Sequence, residues 1–189
     1  MIIPGILASS KTGHLWAPSQ DYVSISTATV TSGGTASVTF SSIPTTYTHL
    51  QIRGILRSSY ALSNTAILAT FNSDSGSNYA FHQLVGNGST ATASSQASNT
   101  STTIARGAYD GLTAGIFTAL VMDIFDYTST SKNKTVRTLS GYDSNSSDGQ
   151  SVLYSGLWFA TPAAINRIDI SSNAGNLMQY SQLSLYGIR

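Results

Sequence analysis

The chain has 189 residues, no cysteine, a formal net charge of +1 and only 9% charged residues, against about 25% in an ordinary soluble domain. The missing cysteines exclude a disulfide framework and a thiolate metal site. The near-zero charge argues against a nucleic-acid partner, which needs a basic patch to neutralise phosphates.

All eight acidic residues are aspartates. Without Glu, and with roughly three residues in ten Ser or Thr, the chain has little material for surface helices, while its Thr, Ile and Tyr fit strands. The expected class is all-β, with a neutral, hydroxyl-rich surface. A hydrophobic content of 41% is sufficient for one core, and no apolar run approaches the roughly 18 residues of a membrane-spanning helix.

Residues 1–21 differ in pattern from the rest of the chain. Pro4, Gly5, Gly13 and Pro18 interrupt Ile2, Ile3, Leu7, Leu15 and Trp16, and neither helical nor strand periodicity holds. This stretch reads as an extended arm rather than a signal peptide, since no basic region precedes its apolar part. Those five apolar residues are the candidate partner-binding set. The remainder, 22–189, reads as one domain.

From Tyr22, Val23 and Ile25 alternate with serines, and Ala36, Val38 and Phe40 alternate after Ser32-Gly33-Gly34. The pair predicts a hairpin. Thr48–Arg57 puts Leu50 and Ile52 on one face and His49, Gln51 and Arg53 on the other. Ala66–Phe71 and Tyr79–Val85 are strands separated by turn residues. Ser89–Thr103, without a core residue, reads as a long exposed loop or a flat edge. Gly115–Tyr127 carries apolar residues on both parities, which predicts a strand covered on both faces. Lys132 and Lys134 read as a solvated turn that leads to Thr135–Tyr142. Then come Val152–Ala160, Ile165–Ile170 and Gln179–Ile188.

About ten strands at this spacing predict an antiparallel β-sandwich of jelly-roll type. Its core is expected to hold Phe40, Leu50, Ile52, Phe71, Leu120, Val121, Met122, Ile124, Leu139, Leu157, Ile168, Ile170, Leu183 and Leu185.

Signals for catalysis are absent. His14, His49 and His82 lack metal-ligand spacing and a carboxylate beside them in sequence. No nucleophile elbow or phosphate loop occurs. Asp123 and Asp126 are expected on opposite strand faces, with Asp126 starting a turn. Asp143–Gly149 has its glycine one place late for a calcium loop and no Glu at the twelfth position. No cofactor and no metal are expected. The ten tyrosines read as rim residues with wet hydroxyls, or as an interface or sugar-stacking set.

Four stretches carry a resemblance: Phe40-Ser-Ser-Ile-Pro-Thr-Thr-Tyr-Thr-His-Leu-Gln-Ile-Arg53; Phe71-Asn-Ser-Asp-Ser-Gly-Ser-Asn-Tyr79 with Gly86-Asn-Gly-Ser89; Asp123-Ile-Phe-Asp-Tyr127 with Lys134-Thr-Val-Arg-Thr-Leu-Ser-Gly141; and Ile168-Asp-Ile170 with Leu185-Tyr-Gly-Ile-Arg189. In this order they resemble a family of small tailed-bacteriophage virion proteins common in aquatic phages. The resemblance spans roughly Tyr22 to the C-terminus. It implies a non-enzymatic sandwich on the virion, assembled in the bacterial cytoplasm, as a capsid decoration (cement) protein. The alternative is a tail-fibre or tail-appendage adhesin for a host glycan. The expected partners are further copies in a homo-oligomer, with a trimer favoured by analogy with capsid threefold sites, and the major capsid or tail protein. Neither nucleic acid nor membrane is expected.

Overall fold

A computed structural model describes residues 21–189. The candidate partner residues Ile2, Ile3, Leu7, Leu15 and Trp16 lie outside the described residues. Within them are twelve strands: β1 (Tyr22–Thr29), β2 (Ser37–Phe40), β3 (His49–Leu56), β4 (Thr65–Phe71), β5 (Tyr79–Gly86), β6 (Ala91–Asn99), β7 (Thr102–Gly107), β8 (Thr118–Ile124), β9 (Lys134–Tyr142), β10 (Gln150–Trp158), β11 (Ile168–Ser172) and β12 (Gln182–Ile188). All strand pairs are antiparallel. The fold is the expected all-β sandwich, with two strands more than anticipated.

The larger sheet runs β1-β12-β3-β8-β9-β10-β5-β6, and the smaller runs β2-β11-β4-β7. Apart from the hairpins β5–β6 and β9–β10, the strands form nested pairs: β1 with β12, β2 with β11, β3 with β8, β4 with β7. Successive members alternate between the sheets. That is one long hairpin rolled over on itself, the winding of a jelly roll. The two extra hairpins extend the larger sheet past β8 as a four-stranded wing, with β6 at its free edge.

This winding overturns the expected first hairpin. β1 pairs with β12 and β2 with β11, in different sheets. Local alternation identifies each strand but carries no information about its partner, and here the partners lie at the far end of the chain.

The core lies where the two sheets face each other. Leu50, Ile52, Met122, Ile124, Leu183 and Leu185 from the larger sheet meet Phe40, Ile67, Phe71, Ile168 and Ile170 from the smaller, all buried. Leu120 is buried with them. Three predicted core residues are not: Leu139 is exposed, and Val121 and Leu157 are half-buried. Val121 and Leu139 sit on the outer parity of β8 and β9, and among the described residues no layer covers that face. The expectation that Gly115–Tyr127 is covered on both sides therefore fails. Its strand spans Thr118–Ile124 with a single buried face, and Phe125 is exposed.

Four of the ten tyrosines, Tyr79, Tyr127, Tyr142 and Tyr154, are buried and depart from the rim reading; the other six are half-buried or exposed. Tyr79, Tyr127 and Tyr154 are among the largest fully buried side chains. A buried hydroxyl needs a partner. The Tyr79 hydroxyl accepts the Phe71 amide at 2.9 Å and donates to the Asp74 carbonyl at 3.2 Å; Tyr127 donates to the Pro44 carbonyl. Burial pushes the Tyr79 hydroxyl up to about 12. Phe71, Tyr79 and Trp158 form one aromatic cluster.

The Ser89–Thr103 stretch contains the expected flat edge and something besides. Residues 91–98 are exposed throughout and form the free edge of the wing. Thr102 and Thr103, in contrast, open β7 and are buried. β7 packs across β8, β9 and β10, and it comes so near β10 that a Cβ at Gly156 would lie 2.5 Å from Thr102 Oγ1. Small hydroxyl residues let the backbones approach, which is why apolar alternation does not reveal this strand.

Candidate functional site

Two surfaces stand out: the outer face of the larger sheet, and a cleft where the wing meets the smaller sheet. Strand register orders the outer face into rows. One row is polar and linked. Tyr22 donates to Gln51 Oε1 at 2.7 Å, Gln51 Nε2 donates to Asp123 Oδ1 at 2.6 Å, and Arg137 lies 3.7 Å from Asp123. The row continues through Ser155 to His82.

The adjacent row is apolar. Val121 opposes Leu139, Leu139 opposes Leu153, and Leu153 opposes Leu84. Leu139 is 61% exposed, Leu84 51% and Leu153 43%. Direct cross-strand neighbours on one face bring their Cβ atoms to about 4.5–5.5 Å, so these side chains make one continuous stripe across four strands. Single exposed leucines are ordinary, whereas large contiguous apolar patches rimmed by polar residues are characteristic of interaction surfaces. Sequence alternation located each leucine and assigned Leu139 to the wrong face.

The cleft has a volume of about 440 Å³. One wall is the outer face of the smaller sheet, with Ala66 and Leu68 of β4 beside Arg106 of β7. The other is the inner face of the wing: Phe81 and Gln83 on β5, Gln96 and Asn99 on β6. Phe81 and Tyr154, which pack edge to face, line the cleft from a small second core that also holds Val85 and Val152. Burial raises the Tyr154 hydroxyl above its ordinary value, although the nearby Arg106 charge opposes this.

The polar groups of the cleft are incompletely partnered. Arg106 donates to Asn64 Oδ1 at 3.2 Å and to Gln83 Oε1 at 3.5 Å, and makes no ion pair among the described residues. Its Nε and the Asn99 Nδ2 are buried without a hydrogen-bond partner among the described residues. None of those residues brings a carboxylate to the lining. Sequence reading missed this site: Arg106 is one arginine in a short strand of Thr, Ile, Ala and Gly, and its companions come from β5, β6 and the segment before β4.

The histidines, aspartates and lysines weighed for chemistry take other roles. His49 acquires the carboxylate neighbour that sequence did not give it: its Nδ1 accepts the Asp126 amide at 3.0 Å and lies 3.7 Å from Asp126 Oδ1. Asp126 lies beyond the end of β8 with φ 47° and opens a turn, its carbonyl accepting Ser129 N–H at 3.0 Å. Lys132 pairs with its carboxylate at 2.6 Å, and the Lys132 bond leads in holding Asp126 below the usual carboxylate range. Lys134 is not the solvated turn residue expected. It is buried, donates to the Ser129 and Lys132 carbonyls, and desolvation lowers its ammonium.

In the Asp143–Gly149 loop, the Asp148 carboxylate accepts the hydroxyls of Tyr109 at 2.6 Å and Tyr142 at 3.0 Å. Among the described residues no group of three or more His, Cys, Asp or Glu could hold a metal ion, and His14 lies outside them.

Comparison with known proteins finds no matching family model, no matching curated protein and no matching solved structure.

Proposed function

We propose that this chain is a non-enzymatic structural protein of a tailed-bacteriophage particle, displayed on the capsid as a decoration protein and assembled as a homo-oligomer. The observation that carries the reading is the stripe Val121–Leu139–Leu153–Leu84, held open on a surface otherwise rich in hydroxyls. Each leucine that such a contact buries contributes about 1.5–3 kcal/mol, and many copies on a lattice multiply a modest contact by avidity. A chain with net charge +1 has little long-range repulsion to keep copies apart. The four stretches that resemble small virion proteins support the same setting. The arm, through Ile2, Ile3, Leu7, Leu15 and Trp16, docks the sandwich on the capsid or tail protein.

A second reading, a tail-appendage adhesin, is favoured by the cleft around Arg106. Locating the protein in the particle by cryo-EM separates the two. Density at many capsid sites supports decoration, density at the tail alone supports the adhesin, and absence from purified particles overturns both. Light scattering of the purified chain tests the oligomer, for which a trimer is expected.

A further inference from the structure

We infer that the cleft between β7 and the wing binds a carboxylate-bearing sugar, with Arg106 receiving the carboxylate. The inference rests on the adhesin reading for its biological setting and on the cleft alone for its chemistry. Arg106 stands in a concavity with no acidic neighbour among the described residues, bonded to the neutral amides of Asn64 at 3.2 Å and Gln83 at 3.5 Å and close to the Tyr154 hydroxyl. A guanidinium presents five N–H donors in a planar fork and binds a carboxylate through paired, charge-assisted bonds. A neutral amide oxygen bonds that fork less strongly than an ionised carboxylate does, so a carboxylate is the stronger partner for it.

The rest of the lining specifies a sugar. Gln83, Gln96, Asn99 and Asn64 each carry an amide that both donates and accepts, which is what adjacent ring hydroxyls require. Asn99 lines the cleft, and its Nδ2 is buried without a hydrogen-bond partner among the described residues, which leaves a costly unsatisfied donor at this wall. Leu68, half-buried in the lining, supplies apolar surface for the C–H face of a pyranose. A volume of about 440 Å³ falls within the roughly 300–1,000 Å³ of small-molecule sites. The wing makes the cleft: without β5 and β6 the outer face of β4 and β7 would have no opposing wall.

The test is calorimetric titration of the full chain with four probes: trigalacturonate, sialyllactose, and the neutral galactotriose and lactose. At least one acidic probe should bind about tenfold or more tightly than its neutral counterpart, as one charge-assisted pair implies. Arg106→Gln should abolish that preference. Gln96→Ala, at an exposed position of the free edge strand, should weaken acidic binding severalfold with an unchanged melting temperature. That second variant keeps the test sound if Arg106→Gln disturbs folding. Equal binding of acidic and neutral probes overturns the carboxylate assignment while the cleft remains a saccharide site. No saturable binding of any probe overturns both the inference and the adhesin reading of the cleft.

Discussion

Leu139 of β9 stands directly opposite Leu153 of β10, and both side chains point away from the core. An exposed apolar pair adds little to the fold of one chain and much to a contact between chains. Leu139→Asp should therefore change unfolding free energy by about 0.5 kcal/mol or less, as surface substitutions do. The same change should reduce the assembled species seen by sedimentation. Cooperative unfolding shifted by several kcal/mol would show instead that the stripe is internal.

Leu120 is the contrasting case, one residue from Val121 on β8 and buried. Leu120→Ala should cost about 2–5 kcal/mol in denaturant unfolding, because the lost transfer energy and the cavity add. A loss below about 1 kcal/mol would mean that the inner face of β8 is not packed.

Arg57 works as a clamp. Its buried guanidinium donates to the carbonyls of Thr113 at 2.9 Å, Leu112 at 2.8 Å and Asp110 at 3.2 Å, with the Asp110 carboxylate at 3.5 Å. These bonds hold the connection from β7 to β8. Arg57→Met should cost about 2–4 kcal/mol, since several carbonyls lose a charged donor at once. Limited proteolysis should then cut first between residues 109 and 117.

Two glycines should respond oppositely to alanine. A Cβ at Gly187 would lie 2.3 Å from the Tyr47 ring, which packs against the β12 backbone there, whereas a Cβ at Gly86 meets nothing within 4 Å. Gly187→Ala should destabilise by about 1–3 kcal/mol through overpacking. Gly86→Ala should stay within about 0.5 kcal/mol. Thermal melts of the two variants side by side are sufficient.

Stability should fall at both extremes of pH. Desolvation pushes Asp74 up, but bonds from Trp158 at 2.6 Å, Asn78 and the Gly76 amide outweigh it and hold the carboxyl below its ordinary value. The Arg167 bond likewise lowers Asp169. A depressed carboxyl contributes stability in full above its unfolded pKa of about 4 and loses it as pH falls through the folded value. Tyr79 and Tyr142, both pushed up to about 12 chiefly by burial, act in the opposite sense. Their contribution is complete below about pH 10 and disappears as pH rises through about 12. Trp158→Phe should shallow the acid limb of a stability–pH curve, and Tyr79→Phe the alkaline limb.

By itself, the sequence determined the fold class and about ten of the twelve strands, because period-two alternation and turn residues are local signals. Leu50, Ile52, Met122, Ile124 and Leu185 were legible as core for that reason. Pairing was not legible: β1 finds β12 and β2 finds β11 across most of the chain, and alternation says nothing about so distant a partner. Nor was the free face of β9, since a leucine on the outer parity looks like a core leucine until the covering layer is known. β6 was legible only as a loop or flat edge, because no large apolar residue alternates along it, and β7 was not legible as a strand, because its one large buried side chain, Ile104, stands among Thr102, Thr103 and Ala105. The cleft was beyond sequence altogether. Arg106 comes to stand in a concavity only after the wing folds beside β7, and its amide neighbours come from segments far apart along the chain.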